Sequence, residues 1–311
     1  MFEPGVFKKL AHNDTGAAVG HQGGIVIPKI IEEYFPDIQG TTSISSPTVD
    51  VPVDAILIVN NRCVGRVTTR YQYQTWGGTR SPERRLTSEL GPIRDVAVED
   101  DYMIFQRSID DQRQMLITLI RKNDSQYEVI EKISAGKRYG VLDPSNSPTS
   151  NTDIRKAVTE ISKKAEEDFS AFSTERNSKI SVKEIKARSA AFRKIVLENY
   201  NHNCAVTGIS MRTPSGLSSA EAAHIVPVEA FGSDDPRNGI LLGKELHWAF
   251  DKGLFGIRDN YSIIVSQQAA SIPENTLLNA IDGVKLRLPT NRKLAPHPDS
   301  LKWHRDRWQI G

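Results

Sequence analysis

Cysteine is nearly absent from this chain. Cys63 and Cys204 are the only two in 311 residues, far apart and without a second Cys nearby. That excludes a disulfide framework and a zinc site built on paired CxxC motifs. A long apolar run is also missing: no stretch approaches the roughly 18 residues that would suggest a membrane span. The opening residues, MFEPGVFKKL, lack the basic-then-apolar pattern of a signal peptide. A reducing cytoplasm is the expected compartment. Charge of one sign is lacking too, since the net charge is +2 and the pI near 8.4. A protein that coats nucleic acid non-specifically is usually far more basic.

What is present describes an ordinary globular protein, 38% hydrophobic and 25% charged, long enough for two domains. Local charge says more than the total. Between Arg62 and Arg85 six arginines (Arg62, Arg66, Arg70, Arg80, Arg84, Arg85) face one acid, Glu83. Such a cluster suits phosphate or base contacts, although a solvated strand face has the same composition.

From about residue 24 to 135 the pattern predicts strands: GIVIP, VDVPVDAILIV, VGRVTTRYQYQT, DYMIFQRS and QMLITLIRK, broken by Gly, Pro, Asn and Asp. In RVTTRYQYQ, Val67, Thr69, Tyr71 and Tyr73 share one face; Arg66, Thr68, Arg70, Gln72 and Gln74 share the other. PKIIEEYF predicts one short helix. VLDPSNSPTSNTD, residues 141–153, has the Pro, Ser and Asn content of a linker. Beyond it, Ile154, Val158, Ile161, Ala165 and Phe169 recur at helical spacing. Ser181-x-x-Glu184 reads as a capping box that starts a second helix, with Ile185, Phe192, Ile195 and Val196 as its apolar face. There is no internal repeat.

The densest chemistry lies between Cys204 and Phe255, in CAVTG and AEAAHIVPVEAFGSDDPRNGILLGKELHWAFDKGLF. Over residues 190–265 the sequence resembles the HNH endonucleases, in the subgroup with A-H-I-x-P, N-G-[IL]-x-L and L-H-x-x-F-D in order. The resemblance implies a ββα-metal fold in which His224 is the general base, Asn238 holds the loop and orients the imidazole, and His247 stands at the first ligand position of the helix. Asp251 follows four residues later, so both side chains leave one helical face and can share a divalent ion. Phosphodiester hydrolysis needs these two parts, a base for water and a cation for the developing charge. Mg²⁺ is the expected ion, with Mn²⁺ or another transition metal as alternatives. One position departs from the pattern. Many relatives carry Asp or His just before the base; here Ala223 stands there, which leaves Glu221, another acid or water to complete the coordination, or His224 itself to serve partly as a ligand. Cys204 reads as a buried core thiol. His202, His297 and His304 read as surface or structural, and Trp303 and Trp308 as packing the nuclease core.

The opening segment, FKKLAHNDTGAAVGHQGGIVIPKIIEEYFPD, resembles the start of the EcoRII DNA-recognition domain, whose fold is related to plant B3 domains. QTWGG with Ser81-Pro82 resembles a second segment of it. That family grips the major groove with two arms. The first corresponds to Lys9, Asn13, Asp14 and His21, and the second to the stretch carrying Arg70, Gln72, Gln74, Arg80, Arg84 and Arg85. Arg can pair with guanine, Asn or Gln with adenine, and Asp can accept from cytosine. Asp14-Thr15-Gly16 reads equally as a plain turn, and Trp76 as a packing residue.

The expectation is therefore an α+β protein of two domains. A mostly β, B3-like pseudobarrel (1–140) precedes a linker (141–153), then a helical segment with a ββα-metal nuclease domain (154–311). The expected activity is that of a type II-like restriction endonuclease on double-stranded DNA, working as a homodimer or as a transient dimer on DNA, with no membrane partner. Two alternatives stand beside it. One is a modification-dependent nuclease, for which Tyr71, Tyr73 and Trp76 are the only close aromatic set that could cage a flipped base. The other is a non-catalytic DNA-binding protein, for which Ala223 speaks.

Overall fold

The computed structural model describes residues 2–17, 23–108, 111–173, 181–213 and 218–311. The chain divides into two units, Met1–Thr152 and Asp153–Gly311.

The first unit is built on an eight-stranded sheet. Its strands are β1 (Val6–Lys9), β2 (Ile25–Ile27), β3 (Thr48–Val59), β4 (Arg62–Gln74), β5 (Glu83–Thr87), β6 (Tyr102–Arg107), β7 (Gln114–Ile120) and β8 (Tyr139–Val141). They lie in the order β2-β5-β4-β3-β7-β6-β1-β8, and the sheet curls into a half-barrel. β3 and β7 run parallel, while the other neighbours are antiparallel. The two longest strands form a hairpin closed by Asn60 and Asn61, both in the left-handed region at φ 51° and 59°. Asparagine tolerates that conformation, and two such residues match the twist of the flanking strands. Tyr71 carries the inward face predicted for β4: it is 1% exposed and stacks on Phe35 at 5.1 Å. PKIIEEYF forms a 3-10 helix, Lys29–Tyr34, rather than a full α-turn series. Two short helices, α1 (Gly91–Arg94) and α2 (Tyr127–Ser134), complete the unit.

The boundary between the units, Thr152/Asp153, falls within the segment expected as a linker, 141–153. Val141 ends β8, and the segment behind it is tied to the first unit as far as Thr152. Glu3 accepts from the Thr149 amide at 3.1 Å and from its hydroxyl at 2.8 Å. The same Glu3 carboxylate pairs with the buried Arg107 at 2.9 Å, and Arg107 donates to Asn151 at 3.1 Å. Asn151 in turn donates to the Phe35 carbonyl at 2.6 Å. Pro, Ser and Asn gave the segment a loop composition, but its polar groups satisfy a buried ion pair that would be costly to leave without donors.

In the second unit, α3 (Asn151–Lys164) ends before Ala165 and Phe169, so the predicted periodicity overran the helix. Phe169 instead stacks on His297 at 4.0 Å. α4 (Val182–Asn199) starts as predicted, with the Ser181 hydroxyl accepting from the Glu184 amide at 3.2 Å. Phe192, Ile195 and Val196 face the core, whereas Ile185 is exposed. Next come β9 (Ala220–His224), β10 (Gly239–Gly243) and α5 (Lys244–Asp251), followed by the β11 (Phe255–Ile257) and β12 (Ile263–Val265) hairpin. The helices α6 (Gln267–Ala270), α7 (Thr276–Ile281) and α8 (Pro298–Trp308) close the chain. Cys204 is buried in this core, as expected. No described helix is long and apolar enough to cross a membrane.

The tail packs differently from expectation. Leu301, His304 and Ile310 are buried, while Trp308 is 40% exposed. His304 lies flat on Phe250 of α5, with ring centroids 3.8 Å apart, and its Nε2 meets the Phe250 carbonyl at 3.0 Å. Burial lowers its pKa from 6.5 to about 4. A folded-state value below the unfolded one means that His304 supports the fold fully above pH 6.5 and loses that support as pH falls toward 4. The loss should amount to about 3 kcal/mol. Denaturant titrations from pH 7.5 down to pH 4 should show it in the wild type, with a clearly shallower pH dependence in His304→Phe.

Candidate active site and DNA-reading face

β9, β10 and α5 form a strand-loop-strand-helix unit, with His224 paired to Gly239 and Ala220 to Gly243. The loop between the strands is held by Asn238. Its side chain is fully buried and accepts from the Val226 amide at 2.9 Å, while donating to the carbonyls of Val226 at 3.0 Å and Ser233 at 2.8 Å. Asn238 therefore closes the loop. It does not touch the imidazole of His224.

That ring has other neighbours. Phe192 of α4 stacks on it at 3.8 Å with only 10° between the planes. Gly239 permits this approach: a Cβ there would lie 2.8 Å from the Phe192 ring. Asp234, on the loop and buried, places Oδ1 3.2 Å from His224 Nε2 and Oδ2 3.1 Å from Arg188 Nε. Nδ1 of His224 makes no hydrogen bond among the described residues and is not sealed from water. Asp234 and Arg188 were missed in the sequence because nothing in GSDDPRN singles out one acid. Arg188 and Phe192 are four apart on α4, a spacing that places them on one helical face, yet their shared target is visible only once the helix is docked.

His247 occupies a second cluster. Its Nδ1 meets Glu221 Oε2 at 3.0 Å, and its Nε2 lies 3.5 Å from Asp251 Oδ2. Lys244 approaches the other Glu221 oxygen at 3.7 Å. Burial pushes the Asp251 carboxyl above the usual carboxylate range; His247 and Lys252 oppose this, and Glu229 and Glu221 reinforce it. Glu221 and Ala223 share a strand face, since side chains alternate, and His224 belongs to the opposite one. Ala223 is wholly buried in the core, so the acid on this face stands two residues earlier, at Glu221. No group of three or more His, Cys, Asp or Glu among the described residues is arranged to hold a metal ion.

The amino-terminal candidates separate into three groups. Asp14 is completely buried: its carboxylate takes Lys8 Nζ at 2.6 Å, the Ala11 amide at 2.9 Å and the Val26 amide at 3.0 Å. It braces the first arm and offers no oxygen to a base, which corrects that expectation. Gln74 is also buried, 7% exposed, against its expected place on the open face. Other candidates are held by partners. Lys9 pairs with Glu131 at 3.0 Å, Arg84 with Glu32 at 3.0 Å, Arg85 with Glu83 at 2.8 Å, and Arg70 with Asp50. Glu32 and Asp50 lie outside the window in which arginines were counted, so the local excess of positive charge is smaller than the sequence suggested. Gln72 is half-buried and accepts from Thr87 at 3.3 Å. Asn13 and Arg80 are exposed. Arg80 lies over the Trp76 ring at 5.1 Å and makes no ion pair among the described residues. His21 falls outside the described residues. The aromatic set proposed as a base cage does not form one. Tyr71 is core, the Tyr73 ring is covered by Arg84 at 4.8 Å, and Trp76 lies beneath Arg80 and Arg85.

The first unit is thus a curled β domain, and the second holds a ββα unit with two histidines. Residues 5–136 match the family of restriction endonuclease EcoRII amino-terminal domains, and residues 204–258 match the HNH endonucleases. The chain thus carries an EcoRII-type domain and an HNH nuclease domain. Solved structures similar to it include a modification-dependent TagI restriction endonuclease, at 15% identity over 89% of this chain and 79% of that one, with a TM-score of 0.32. Another is the N-terminal domain of Helicobacter pylori LlaJI.R1, at 14% identity over 44% of this chain and 95% of that one, with a TM-score of 0.28. At these scores neither bears on function. No curated protein matches the chain.

The loop around Asn238 gives a direct test. Asn238→Ala would leave three buried backbone groups without their partner. The second unit should lose on the order of 3 kcal/mol, measured by chemical denaturation.

Proposed function

We propose that this chain is a type II-like, site-specific restriction endonuclease that hydrolyses phosphodiester bonds in double-stranded DNA. In this reading His224 is the general base, and a divalent ion sits between His247 and Asp251. The observation that carries it is the His247 arrangement. One ring nitrogen is taken by Glu221 at 3.0 Å, which leaves Nε2 and its lone pair directed toward Asp251. A carboxylate that holds one imidazole nitrogen fixes the tautomer and makes the other a better metal ligand.

The donors fit such an ion. Two ligands on one cation lie about 3.0–3.4 Å apart at metal–ligand distances near 2.1 Å. Nε2 and Oδ2 are 3.5 Å apart. The carboxylates of Glu221 and Asp251 flank one imidazole, and Glu229 adds its charge near Asp251, a setting that favours a cation. Mg²⁺ is the expected ion; an imidazole ligand also suits Mn²⁺ or another transition metal. When bound, the cation would polarise the phosphate and stabilise the departing oxygen. The chain's own part is to take a proton from water at His224 and to keep His247 oriented through Glu221.

Recognition is assigned to the amino-terminal domain, with Arg80 and Asn13 as the exposed candidates of the two arms. Arg70, Gln72, Arg84 and Arg85 would have to exchange their present partners to read bases. Cutting both strands calls for two nuclease units, hence a homodimer or a pair formed on DNA. Among the described residues Tyr71, Tyr73 and Trp76 form no cage that would support the modification-dependent alternative, and the His247–Asp251–Glu221 set weighs against a non-catalytic protein.

Digestion of unmodified and methylated plasmids with Mg²⁺, Mn²⁺ or EDTA tests this reading. Discrete fragments from unmodified DNA with metal, and none with EDTA, are expected. His224→Ala should abolish cutting while DNA binding stays nearly intact. Tight binding with no cutting under any metal would sink the nuclease assignment, and fragments from methylated DNA alone would sink ordinary site recognition. Arg80→Ala should weaken specific binding by about tenfold, on the order of 1–3 kcal/mol for a lost base contact. Unchanged affinity in a gel-shift titration would remove Arg80 from the reading face.

A further inference from the structure

We infer that Asp234 is the positioning residue of His224, and that Nδ1 is the nitrogen that takes the proton. This rests on the proposed role of His224 as general base. The geometry has four independent parts. Asp234 Oδ1 lies 3.2 Å from His224 Nε2, a distance at which the ring N–H donates to the carboxylate. The other oxygen is held by Arg188 Nε at 3.1 Å, so the carboxylate cannot rotate away from the ring without losing that bond. Phe192 stacks within 10° of the imidazole plane and fixes its tilt. Asn238 fastens the Ser233 carbonyl, next to Asp234, at 2.8 Å.

An ionised carboxylate only accepts hydrogen bonds. Facing Asp234, Nε2 must therefore carry the hydrogen, and in the neutral ring the lone pair is then on Nδ1. Nδ1 is the nitrogen left without a partner among the described residues and open to water. A base that takes a proton becomes an imidazolium, and the Asp234 carboxylate stabilises that cation, while Arg188 holds the carboxylate in place. Asn238 then influences the base through Asp234 rather than by touching the ring. Asp234 plays the part for His224 that Glu221 plays for His247: each histidine has one nitrogen anchored on a carboxylate, and the other faces water in His224 and Asp251 in His247.

Two measurements on the full-length protein test this. In long-range ¹H–¹⁵N spectra of the wild type above pH 7, neutral His224 should be the Nε2–H tautomer; an Nδ1–H tautomer overturns the inference. Asp234→Asn replaces the acceptor-only group with an amide of the same shape. Its single-turnover cleavage rate with Mg²⁺ or Mn²⁺ should fall on the order of 10²- to 10⁴-fold. The duplex concentration at half-saturation should stay within about twofold, and the tautomer should shift toward Nδ1–H. His224→Ala, run alongside, separates the two claims. If His224→Ala is inactive and Asp234→Asn cuts at the wild-type rate, the positioning role fails while the base assignment stands. If His224→Ala cuts as the wild type does, the base assignment itself fails. Should Asp234→Asn not fold, the wild-type tautomer alone decides the matter.

Discussion

The nuclease unit depends on one buried amide. Asn238 has no access to water, so each of its hydrogen-bonding groups must be met by protein, and all three bonds go to the loop that joins β9 to β10. A buried polar group with a complete set of partners is rigid, because any movement forfeits bonds that water cannot replace. The loop inherits that rigidity and passes it to Asp234, which faces the imidazole of His224. On the neighbouring residue, Gly239, the missing side chain lets Phe192 stack on the same imidazole. Asn and Gly thus serve one histidine from two directions, one by hydrogen bonding and one by leaving space.

The same economy appears in the first unit. Asp14, Glu3 and Arg107 are charged and buried, and each is surrounded by donors or acceptors from distant parts of the chain. Asp14 ties β1 to β2 and so sets where the first arm leaves the sheet. Glu3 and Arg107 tie the end of the unit, Thr149 to Asn151, back to its beginning. Charges in such places contribute little net stability, but removing one partner is costly, and this makes them effective at fixing geometry. Arg80 shows the opposite regime. It lies over Trp76, is open to solvent and makes no ion pair among the described residues.

Legibility differed between the two kinds of residue. His224, Asn238, His247 and Asp251 could be found because motif order and the four-residue helical spacing are properties of the chain alone. The strands β3, β4 and β7 were legible for a similar reason: one face is more buried, so burial alternates along them. β6 was legible instead as a short apolar run, buried on both faces. β1, β5 and β8 were not. They are short, and β5 is built from charged residues that find their partners only in the folded sheet.

The sequence by itself determined the class of the two domains, the capping box that starts α4, and the order of the motifs that carry His224, Asn238, His247 and Asp251. Tertiary structure alone decided which charges are available. It placed Asp14 and Gln74 in the interior, gave Arg70 and Arg84 acidic partners from outside their own segment, and tied Thr149, in the segment expected as a linker, to Glu3. It also brought Asp234 and Arg188 to His224, and Glu221 to His247. The physical reason is common to all of these. Spacing along a chain fixes only local neighbours, whereas the pairing of a buried charge depends on whichever distant donor the fold delivers to it.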